Sequence, residues 1–533
     1  MGNRWQLPDR REFLKASFAG GFLLSVPAAR AGSGLPSAAL ATTTHGKVRG
    51  TIEFETNVFR GIRYGADTSK TRFQPPEPPA SWPGVVDAMK YGPASPQGNA
   101  NEKPQSEDCL FLNVWTPGLR DGGKRPVMVY IHGGAYSNGS GSSPLYDGGR
   151  LSRRGDVVVV TLNHRLNAFG YLYLKPYGEP LLDSGNAGQL DLVLALEWVR
   201  DNIAEFGGDP SRVMVFGQSG GGAKIATLMA MPRAKGLFHR AATMSGQQVT
   251  ASGPLHAEAR TEAFLAALEL GKNDIARLLD LPTETLVAAL KATDPIIGSG
   301  GVYMGPVLDE RSLTRHPFYP DAPALSANVP MIIGNTHDET RLLIGGQDPS
   351  AFSLTWDQLP ARLGPAMRVD IDPNLVVAEY RRLYPKYSAS DVFFSATTAA
   401  RSWRGAIIEA ELRAQAGTPV FAYELDWPSP VDGTKWRAPH TLDIPLVFDN
   451  VDVPGALSGN GDGAHAMANQ MCEAFMAFAR TGDPNCSAIP KWSPYTLPNR
   501  ETMLFDLPSR MANDPRGDER RLFAKVPYIQ QGT

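Results

Sequence analysis

A serine flanked by glycines is the clearest sign of chemistry in this sequence. Gly217, Ser219 and Gly221 form the pattern Gly-x-Ser-x-Gly, which follows an apolar run over residues 212–216 and precedes a helical pattern over residues 223–230. A serine in a sharp strand-to-helix turn has strained backbone angles, so small neighbours two positions away are needed to avoid clashes. Such a turn exposes the hydroxyl, and the helix N-terminus behind it favours developing negative charge. The pattern and its position predict that Ser219 is a nucleophile; a glycine-rich turn without chemistry is the alternative.

A second glycine-rich segment lies upstream of this serine. Residues 131–136, with the sequence IHGGAY, directly follow an apolar run over residues 126–131. Small residues let a backbone approach a ligand and expose its N–H groups to that ligand. Acyl transfer needs such donors where a carbonyl oxygen becomes an oxyanion, and the loss of one donor costs ~3 kcal/mol. If Ser219 attacks a carbonyl, the predicted donors are the N–H groups of Gly134, Ala135 and Gly220; otherwise the segment is a tight loop after a strand.

A serine nucleophile also needs a base, and the base needs an acid to orient it. In an α/β-hydrolase sheet these residues follow the serine in the order acid, then histidine. His440 lies in a late loop with the sequence RAPHTLD, where the base is expected. Glu339 follows the apolar run 330–334, so it would project from the carboxyl end of a strand. Position alone favours Glu339 and leaves Asp338 open as the acid.

The predicted strands and helices would place these segments at one edge of a sheet. Apolar, β-branched runs predict buried strands over residues 126–131, 156–162, 212–216 and 330–334. Residues 188–206 have apolar positions at helical spacing and end at a Gly-Gly-Asp-Pro stop. This alternation predicts an α/β fold with a large, mostly parallel central sheet flanked by helices. Residues 250–328 and 345–415 are more helical and are expected to be cap-like insertions within a single domain, residues 32–533.

Composition argues against a disordered chain, a collagen-like repeat and a membrane-embedded channel. The chain has 533 residues, of which 42% are hydrophobic and 20% charged, and a formal net charge of −2. These values are ordinary for a globular protein and favour neither a nucleic-acid partner nor an anionic membrane surface. The three cysteines are too few for a disulfide scaffold and lack metal-finger spacing. No metal or organic cofactor is implied.

The first 31 residues resemble an export signal. They combine a basic start, the pair Arg10 and Arg11, an apolar stretch over residues 16–29 and the small residues Ala29 and Ala31 around a cleavage position. The sequence RREFLK is similar to the bacterial twin-arginine signal. The apolar stretch is too short to anchor the protein in a bilayer. We therefore expect a periplasmic or secreted protein without a stable membrane anchor.

Motifs along nearly the whole remaining chain resemble the type-B carboxylesterase/lipase family, which includes cholinesterases, liver carboxylesterases and bacterial p-nitrobenzyl esterases. Residues 106–117, with the sequence SEDCLFLNVWTP, are close to a signature of that family. Further matching segments are residues 44–50, 59–62, 72–76, 185–191, 206–213, 478–485 and 492–495. The resemblance implies an α/β-hydrolase fold and a serine esterase.

The same resemblance assigns roles to individual residues. It implies a catalytic triad of Ser219, Glu339 and His440, which favours Glu339 over Asp338. It also implies that Ser245 lies behind the triad and forms hydrogen bonds there. Four charged residues would form structural ion pairs, namely Arg72 with Glu107 and Arg165 with Asp191.

Several positions depart from the family pattern. The nucleophile motif has Gln218 and Gly220 where the family usually has glutamate and alanine, and Ala135 replaces a third glycine of the oxyanion loop. We hypothesise that the methyl group absent at Gly220 and the one added at Ala135 compensate each other in a crowded site. Ser95 stands near the position of a family cysteine, so no bridge to Cys109 is expected. Cys472 and Cys486 could pair after export.

The expected activity is that of a serine carboxylic-ester hydrolase acting on small uncharged aryl or short-chain acyl esters through an acyl-enzyme. One alternative is a hydrolase specialised for an amide, carbamate or natural-product ester, and another is a non-catalytic binding module. The only expected partner is a small-molecule ester; oligomeric state stays open.

Two groups of side chains have two interpretations each. Aromatic residues could line an apolar pocket or belong to the core: Tyr136, Trp403, Trp427, Trp436 and Phe448. Lys435 and Arg437 could attract an acidic substrate, although solvated loop cations are the favoured interpretation.

Overall fold

A thirteen-stranded mixed sheet forms the centre of the protein. The computed structural model describes residues 38–298, 300–530 and 532–533, so the predicted export signal lies outside the described residues. The strands are β1 Ala39–Thr43, β2 Gly46–Glu53, β3 Thr56–Arg63, β4 Val85–Asp87, β5 Phe111–Thr116, β6 Arg125–Ile131, β7 Val158–Leu162, β8 Gly208–Gln218, β9 Arg240–Met244, β10 Met331–Thr336, β11 Val420–Leu425, β12 Glu501–Phe505 and β13 Arg510–Asn513.

The strand order is β1-β2-β3-β5-β7-β6-β8-β9-β10-β11-β12-β13, with β4 beside β2. From β7 to β12 every neighbouring pair is parallel. On the main path the outer pairs, β1 to β7 and β12 to β13, are antiparallel. Because the carboxyl ends of parallel strands meet at one edge, the loops after β6, β8, β9 and β10 lie near one another.

Helices cover both faces of the sheet and also make up much of residues 254–289 and 359–415. They are α1 Gly149–Gly155, α2 Asn167–Tyr171, α3 Ala187–Asn202, α4 Gly220–Leu228, α5 Pro254–Ala267, α6 Ile275–Asp280, α7 Thr283–Ala289, α8 Glu339–Leu343, α9 Leu359–Met367, α10 Pro373–Leu383, α11 Ala389–Thr398, α12 Arg404–Gln415, α13 Asp443–Val447, α14 Asp462–Thr481 and α15 Gly517–Phe523. A π-helical turn, Ala399–Trp403, joins α11 to α12. Among the described residues, no helix combines the length and apolar character needed to span a bilayer.

The central strands are buried on both faces, which explains their uninterrupted apolar sequences. In β6, Val127, Val129 and Ile131 pack into one core, while Met128 and Tyr130 pack into the core on the opposite face. The first core includes apolar side chains of α3 and α4, and the second includes much of α14. Each of the four predicted strands lies within or overlaps an observed one. The predicted helix over residues 188–206 is α3 followed by a 3₁₀ turn, Ile203–Phe206.

Two buried ion pairs connect the loops to this scaffold. Arg165 Nη2 lies 2.6 Å from Asp191 Oδ1, and the side chains are 2% and 0% exposed. The Arg165 N–H donates to the other oxygen of Asp191 at 2.9 Å. Arg72 Nη2 lies 2.5 Å from Glu107 Oε1, and Arg72 Nη1 donates to the carbonyls of Leu279 and Leu281. The first pair holds the segment after β7 on α3, and the second holds the segment at Leu279 and Leu281 near the loop before β5.

The three cysteines are free thiols. Cys109 and Cys472 are buried, and no bond joins Cys472 to Cys486. The Ser95 hydroxyl, near the position where the family has a cysteine, accepts a hydrogen bond from the Leu166 N–H at 3.1 Å. A polar contact therefore tethers the loop at Ser95.

Neutralising one partner of the buried pair should destabilise the fold. In Asp191→Asn, Arg165 keeps its burial and loses its counter-charge, which costs about 3–5 kcal/mol. Urea unfolding would show this as a lower midpoint at an unchanged slope. The control is Asp87→Asn in the exposed pair Arg49–Asp87, whose side chains are 47% and 56% exposed. The control should leave the midpoint unchanged; equal midpoints for the two variants would contradict a structural role for Asp191.

Candidate active site

Ser219 lies in the sharp turn between β8 and α4. Its backbone angles are φ 56° and ψ −126°, and its N–H donates to the Met244 carbonyl at 2.8 Å. A β-carbon on Gly217 would lie 2.6 Å from the Ile131 carbonyl oxygen, and one on Gly221 would overlap that oxygen. The turn therefore packs directly on the end of β6, and this contact requires glycine two positions before and after the serine.

The predicted oxyanion loop follows β6 and reaches the same turn. Gly134 and Ala135 have positive φ angles of 83° and 52°. Across the described residues, no acceptor is paired with the N–H groups of Gly134, Ala135 or Gly220. Ala135 and Gly220 line one cavity together with Ser219. Three unpaired donors thus lie on adjacent loops near the nucleophile, which is the arrangement that an oxyanion requires.

The two departures from the family pattern are in direct contact. A β-carbon on Gly220 would overlap the carbonyl oxygen of Ala135 and lie 2.5 Å from its Cα atom. An alanine at position 220 would therefore have to push the oxyanion loop away. The two positions are therefore adjacent, as the compensation hypothesis requires, and the atoms in contact with Gly220 are those of the Ala135 backbone.

Glu339 and His440 form a hydrogen-bonded pair. Nδ1 of His440 contacts Oε2 of Glu339, whose side chain is fully buried at the start of α8. The other carboxylate oxygen accepts a hydrogen bond from the Thr336 N–H at 3.0 Å. Asp338 instead pairs with His337 at 3.0 Å and with Arg341 at 3.2 Å. The geometry therefore distinguishes the two carboxylates and gives His440 to Glu339.

Burial and pairing shift the pKa values of Glu339 and His440 in opposite directions. Burial alone would raise the pKa of Glu339, but His440, the Ser245 hydroxyl and the Thr336 N–H hold that pKa below its usual value. Burial alone would lower the pKa of His440, but the Glu339 carboxylate raises that pKa above its usual value. The pair is therefore set up to stabilise an imidazolium when His440 takes up a proton.

Ser245 lies behind the triad, directly after β9. Its φ angle is 52°, and its N–H donates to the Gly334 carbonyl at 2.7 Å. Its hydroxyl contacts Glu339 and accepts a hydrogen bond from the Thr336 N–H at 3.4 Å. Ser245 thus connects the acid to the loop after the neighbouring strand.

Gln218 contacts the catalytic histidine from the nucleophile turn. Its Nε2 atom lies 3.2 Å from Nε2 and 3.3 Å from Nδ1 of His440. Within the described residues no hydrogen bond joins Ser219 Oγ to His440, although both line the cavity. The imidazole is therefore held between Glu339 and Gln218. Such a nucleophile–base bond often tightens only when substrate binds.

The cavity at Ser219 has a volume of about 170 Å³. Its lining residues are Ala135, Tyr136, Ser219, Gly220, Ala223, Ser245, Gly246, Gln247, Gln248, Tyr303, Thr340, Leu343, Arg401, Ser402, His440 and Gln530. A larger cleft of about 1290 Å³ is lined by Ser137 and Asn138 but by none of the triad residues. The reacting carbonyl therefore belongs in the smaller cavity.

Most of the aromatic residues considered from sequence do not line this cavity. Of the five, Tyr136 does so, whereas Trp403, Trp427 and Phe448 pack into hydrophobic cores. The Trp436 indole donates to Asp432 at 2.7 Å.

The two cations considered as substrate-attracting groups also contact other side chains of the protein. Arg437 pairs with Asp391 at 2.7 Å, and the Lys435 ammonium lies 4.4 Å from the centre of the Phe352 ring.

One group of side chains in the described residues has metal-ligand spacing, namely His337, Glu424 and Asp426. Two of them already form ion pairs, His337 with Asp338 at 3.0 Å and Glu424 with Arg516 at 3.0 Å. These contacts give a charge network rather than an open coordination site.

Comparison with known proteins places the chain in a family. The model of the carboxylesterase family matches residues 37–523. The chain belongs to the carboxylesterase family. This carboxylesterase is 36% identical over 497 residues to the para-nitrobenzyl esterase of Bacillus subtilis, covering 90% of this chain and 98% of that one. It is 33% identical over 486 residues to the phenmedipham hydrolase of Pseudarthrobacter oxydans, covering 85% and 92% of the two chains.

A solved carboxylesterase from Geobacillus stearothermophilus superposes with a TM-score of 0.80 and 38% identity, covering 91% of this chain and 99% of that one. The fold of the carboxylesterase is therefore the α/β-hydrolase fold, and both the fold class and the family resemblance predicted from the sequence are confirmed. The protein is a carboxylic ester hydrolase.

Several residues around the carboxylesterase site could not be found from the sequence. The buried Lys224 ammonium donates to the His132 carbonyl at 3.1 Å and so supports the oxyanion loop, and burial lowers the pKa of Lys224 to about 7. The Gln97 side chain exchanges two hydrogen bonds with the Gly139 backbone, at 2.7 and 3.0 Å. Ser402 accepts a hydrogen bond from Asn335 at 2.9 Å. No local pattern identifies such contacts, because each joins segments that are distant in sequence.

The contact between Gly220 and Ala135 gives a rescue experiment for the carboxylesterase. Gly220→Ala should lower kcat/KM by about 100-fold or more, because the added methyl displaces an oxyanion donor. Adding Ala135→Gly should recover at least about tenfold of that loss, because glycine lets the loop at positive φ shift away. Ester turnover by both variants measures this.

Ala135→Gly alone is the matched control and should stay close to the parent in kcat/KM. A double variant no more active than Gly220→Ala would contradict compensation between the two positions.

Proposed function

We propose that this carboxylesterase hydrolyses small carboxylic esters through an acyl-enzyme formed on Ser219, with His440 as the base and Glu339 as its orienting acid. The observation that carries the proposal is the bond between His440 and Glu339 beside a cavity that Ser219, Gly220 and Ala135 share. A nucleophile, an oriented base and oxyanion donors around one small cavity are what acyl transfer requires.

In the first step His440 takes the proton of Ser219 while the serine oxygen attacks the ester carbonyl. The carbonyl oxygen becomes an oxyanion and accepts hydrogen bonds from the N–H groups of Gly134, Ala135 and Gly220. The tetrahedral intermediate then collapses, the bond to the alcohol breaks, and His440 returns the proton to the leaving alkoxide.

In the second step His440 takes a proton from water, and the resulting hydroxide attacks the acyl-enzyme. The same donors hold the second oxyanion, and Ser219 leaves with the proton from His440. Glu339 remains ionised throughout, fixes the tautomer with Nδ1 protonated, and stabilises the imidazolium formed in each step.

The size of the cavity supports small acyl groups. About 170 Å³ is less than the volume of a pocket for a drug-sized ligand, roughly 300–1000 Å³. Tyr136, Tyr303 and Leu343 form its bulky apolar wall. We therefore expect short-chain acyl and small aryl esters to react faster than long-chain esters.

Removal of the nucleophile tests the proposal. Ser219→Ala should lower kcat on p-nitrophenyl acetate by about 10⁴-fold or more, because the remaining site has donors and no nucleophile. A fluorophosphonate should label the parent and leave this variant unlabelled. Turnover should fall from acetate and butyrate to palmitate.

The matched control is Ser211→Ala, which changes an exposed serine on the same strand, β8. It should keep the activity of the parent. Retained turnover in Ser219→Ala, or palmitate as the fastest substrate, would contradict the proposed nucleophile or the proposed substrate size, respectively.

We also propose that the esterase is exported by a twin-arginine signal. The support is the sequence pattern of residues 1–31, with Arg10 and Arg11 before an apolar stretch. Cell fractionation should find esterase activity of processed size outside the cytoplasm. Replacing Arg10 and Arg11 with lysine should retain the activity in the cytoplasm, and export of that variant would contradict this route.

A further inference from the structure

Arg401 is a cation in the wall of the catalytic cavity. Among the sixteen residues that line this cavity, it is the one with a permanent charge, and none of the others is an aspartate or glutamate. Within the described residues, no carboxylate lies within 4.0 Å of its guanidinium, which also donates no hydrogen bond. The cavity therefore contains a positive charge that no group of the described protein neutralises.

The backbone around Arg401 is held in place by the cavity walls. Arg401 lies in the π-helical turn Ala399–Trp403, a type of wide turn that often occurs at functional sites. Its carbonyl accepts a hydrogen bond from the Gln247 side chain at 3.3 Å, and the next residue, Ser402, accepts one from Asn335. Gln247 also lines the cavity, and Asn335 contacts Glu339. The turn that carries Arg401 is therefore fixed to the residues around the triad.

Arg401 is only partly exposed to solvent, so its unpaired charge carries a desolvation cost. Burial, together with the nearby Arg368, lowers the pKa of Arg401 to about 10, so the guanidinium stays protonated at neutral pH. Buried cations in proteins are normally paired, because desolvation of an unpaired charge is expensive. A planar guanidinium fits a carboxylate through two parallel hydrogen bonds. The group that would complete this pairing is a carboxylate brought by the ligand.

Two other arginines near the site differ from Arg401 in having carboxylate partners. Arg341 pairs with Asp338 at 3.2 Å, and Arg437 pairs with Asp391 at 2.7 Å. Neither of these two lines the cavity at Ser219. The charges of Arg341 and Arg437 are thus neutralised outside the cavity, whereas the charge of Arg401 lies unpaired in its wall.

We propose that Arg401 binds a free carboxylate of the substrate, so that the enzyme takes hemiesters, meaning esters of which one end is an ionised carboxylic acid, in addition to small neutral esters. This inference rests on the proposed function of Ser219 as the nucleophile. Arg401 acts here as a binding residue that selects substrates, and the chemistry at the ester carbonyl is unchanged.

Matched substrates test the charge alone. Monomethyl succinate carries a carboxylate, and methyl succinamate has a neutral amide of similar shape in its place. The purified enzyme should favour monomethyl succinate by about tenfold in kcat/KM, as expected for one charge-assisted pair. A second pair, 3-acetoxypropanoate and 3-acetoxypropanamide, places the carboxylate on the alcohol side of the ester. Preference for the anion in either pair supports the proposal, and the pair that shows it tells on which side of the ester Arg401 binds the carboxylate.

Variants then assign the preference to Arg401. Arg401→Gln removes the charge and leaves a shorter, uncharged hydrogen-bonding group, and should lower kcat/KM on the preferred anion by about tenfold or more while keeping the neutral partner within about twofold. Arg401→Lys keeps the charge without the planar fork and should retain part of the preference. The control is Arg368→Gln, which removes a neighbouring charge that does not line the cavity and should keep most of the preference.

The inference is wrong if the parent shows no preference for the anion in either pair. It is also wrong if Arg401→Gln lowers turnover of the anion and of the amide equally, which is the result of a structural role. p-Nitrophenyl acetate separates this failure from failure of the proposed function. Turnover of that ester without preference for an anion rejects the role of Arg401 alone, whereas no turnover and no fluorophosphonate labelling reject the nucleophile.

Discussion

Close backbone packing around Ser219 is the constraint on which the rest of the site depends. A β-carbon on Gly221 would overlap the end of β6, and one on Gly246 would overlap the Ser219 carbonyl oxygen. The ends of β6, β8 and β9 can therefore meet only because no side chains stand between them. This contact places the oxyanion loop beside the nucleophile and brings Ser245 behind it. The serine turn therefore holds the loops after β6, β8 and β9 in contact with one another.

Two charged side chains near Ser219, those of Glu339 and Arg401, differ in how their charges are compensated. The Glu339 carboxylate is fully buried, yet it has His440, the Thr336 N–H and the Ser245 hydroxyl as partners. These partners offset a desolvation penalty that would otherwise keep the acid neutral. Arg401 is deprived of comparable compensation within the described residues. The fold thus neutralises the acid of its triad and leaves a cation in the adjacent wall unpaired. This unpaired charge lowers stability, and the proposed binding of a substrate carboxylate accounts for it.

The sequence was sufficient for the fold class, because central strands buried on both faces produce apolar runs and because the motifs resemble a known family. It was also sufficient to single out Ser219, Glu339 and His440, which the structure brings to one place. Periodicity did not single out β9 or β11, whose sequences RAATM and VFAYEL are short and mixed. The π-helical turn and the substrate-facing position of Arg401 were not predictable either. They arise from contacts between segments far apart in the chain, and such contacts leave no local pattern.

The loop at Ser95 has a consequence for where the chain can reach its native state. It is tethered by the Ser95 hydroxyl on Leu166 and by the Gln97 side chain on Gly139, while all three cysteines are free. No contact of the described residues has to be made by an oxidant. The described fold, including the catalytic cleft, can therefore form without an oxidant. Such a fold fits the proposed twin-arginine export, which carries folded proteins, and it depends on neither an oxidising compartment nor a disulfide isomerase.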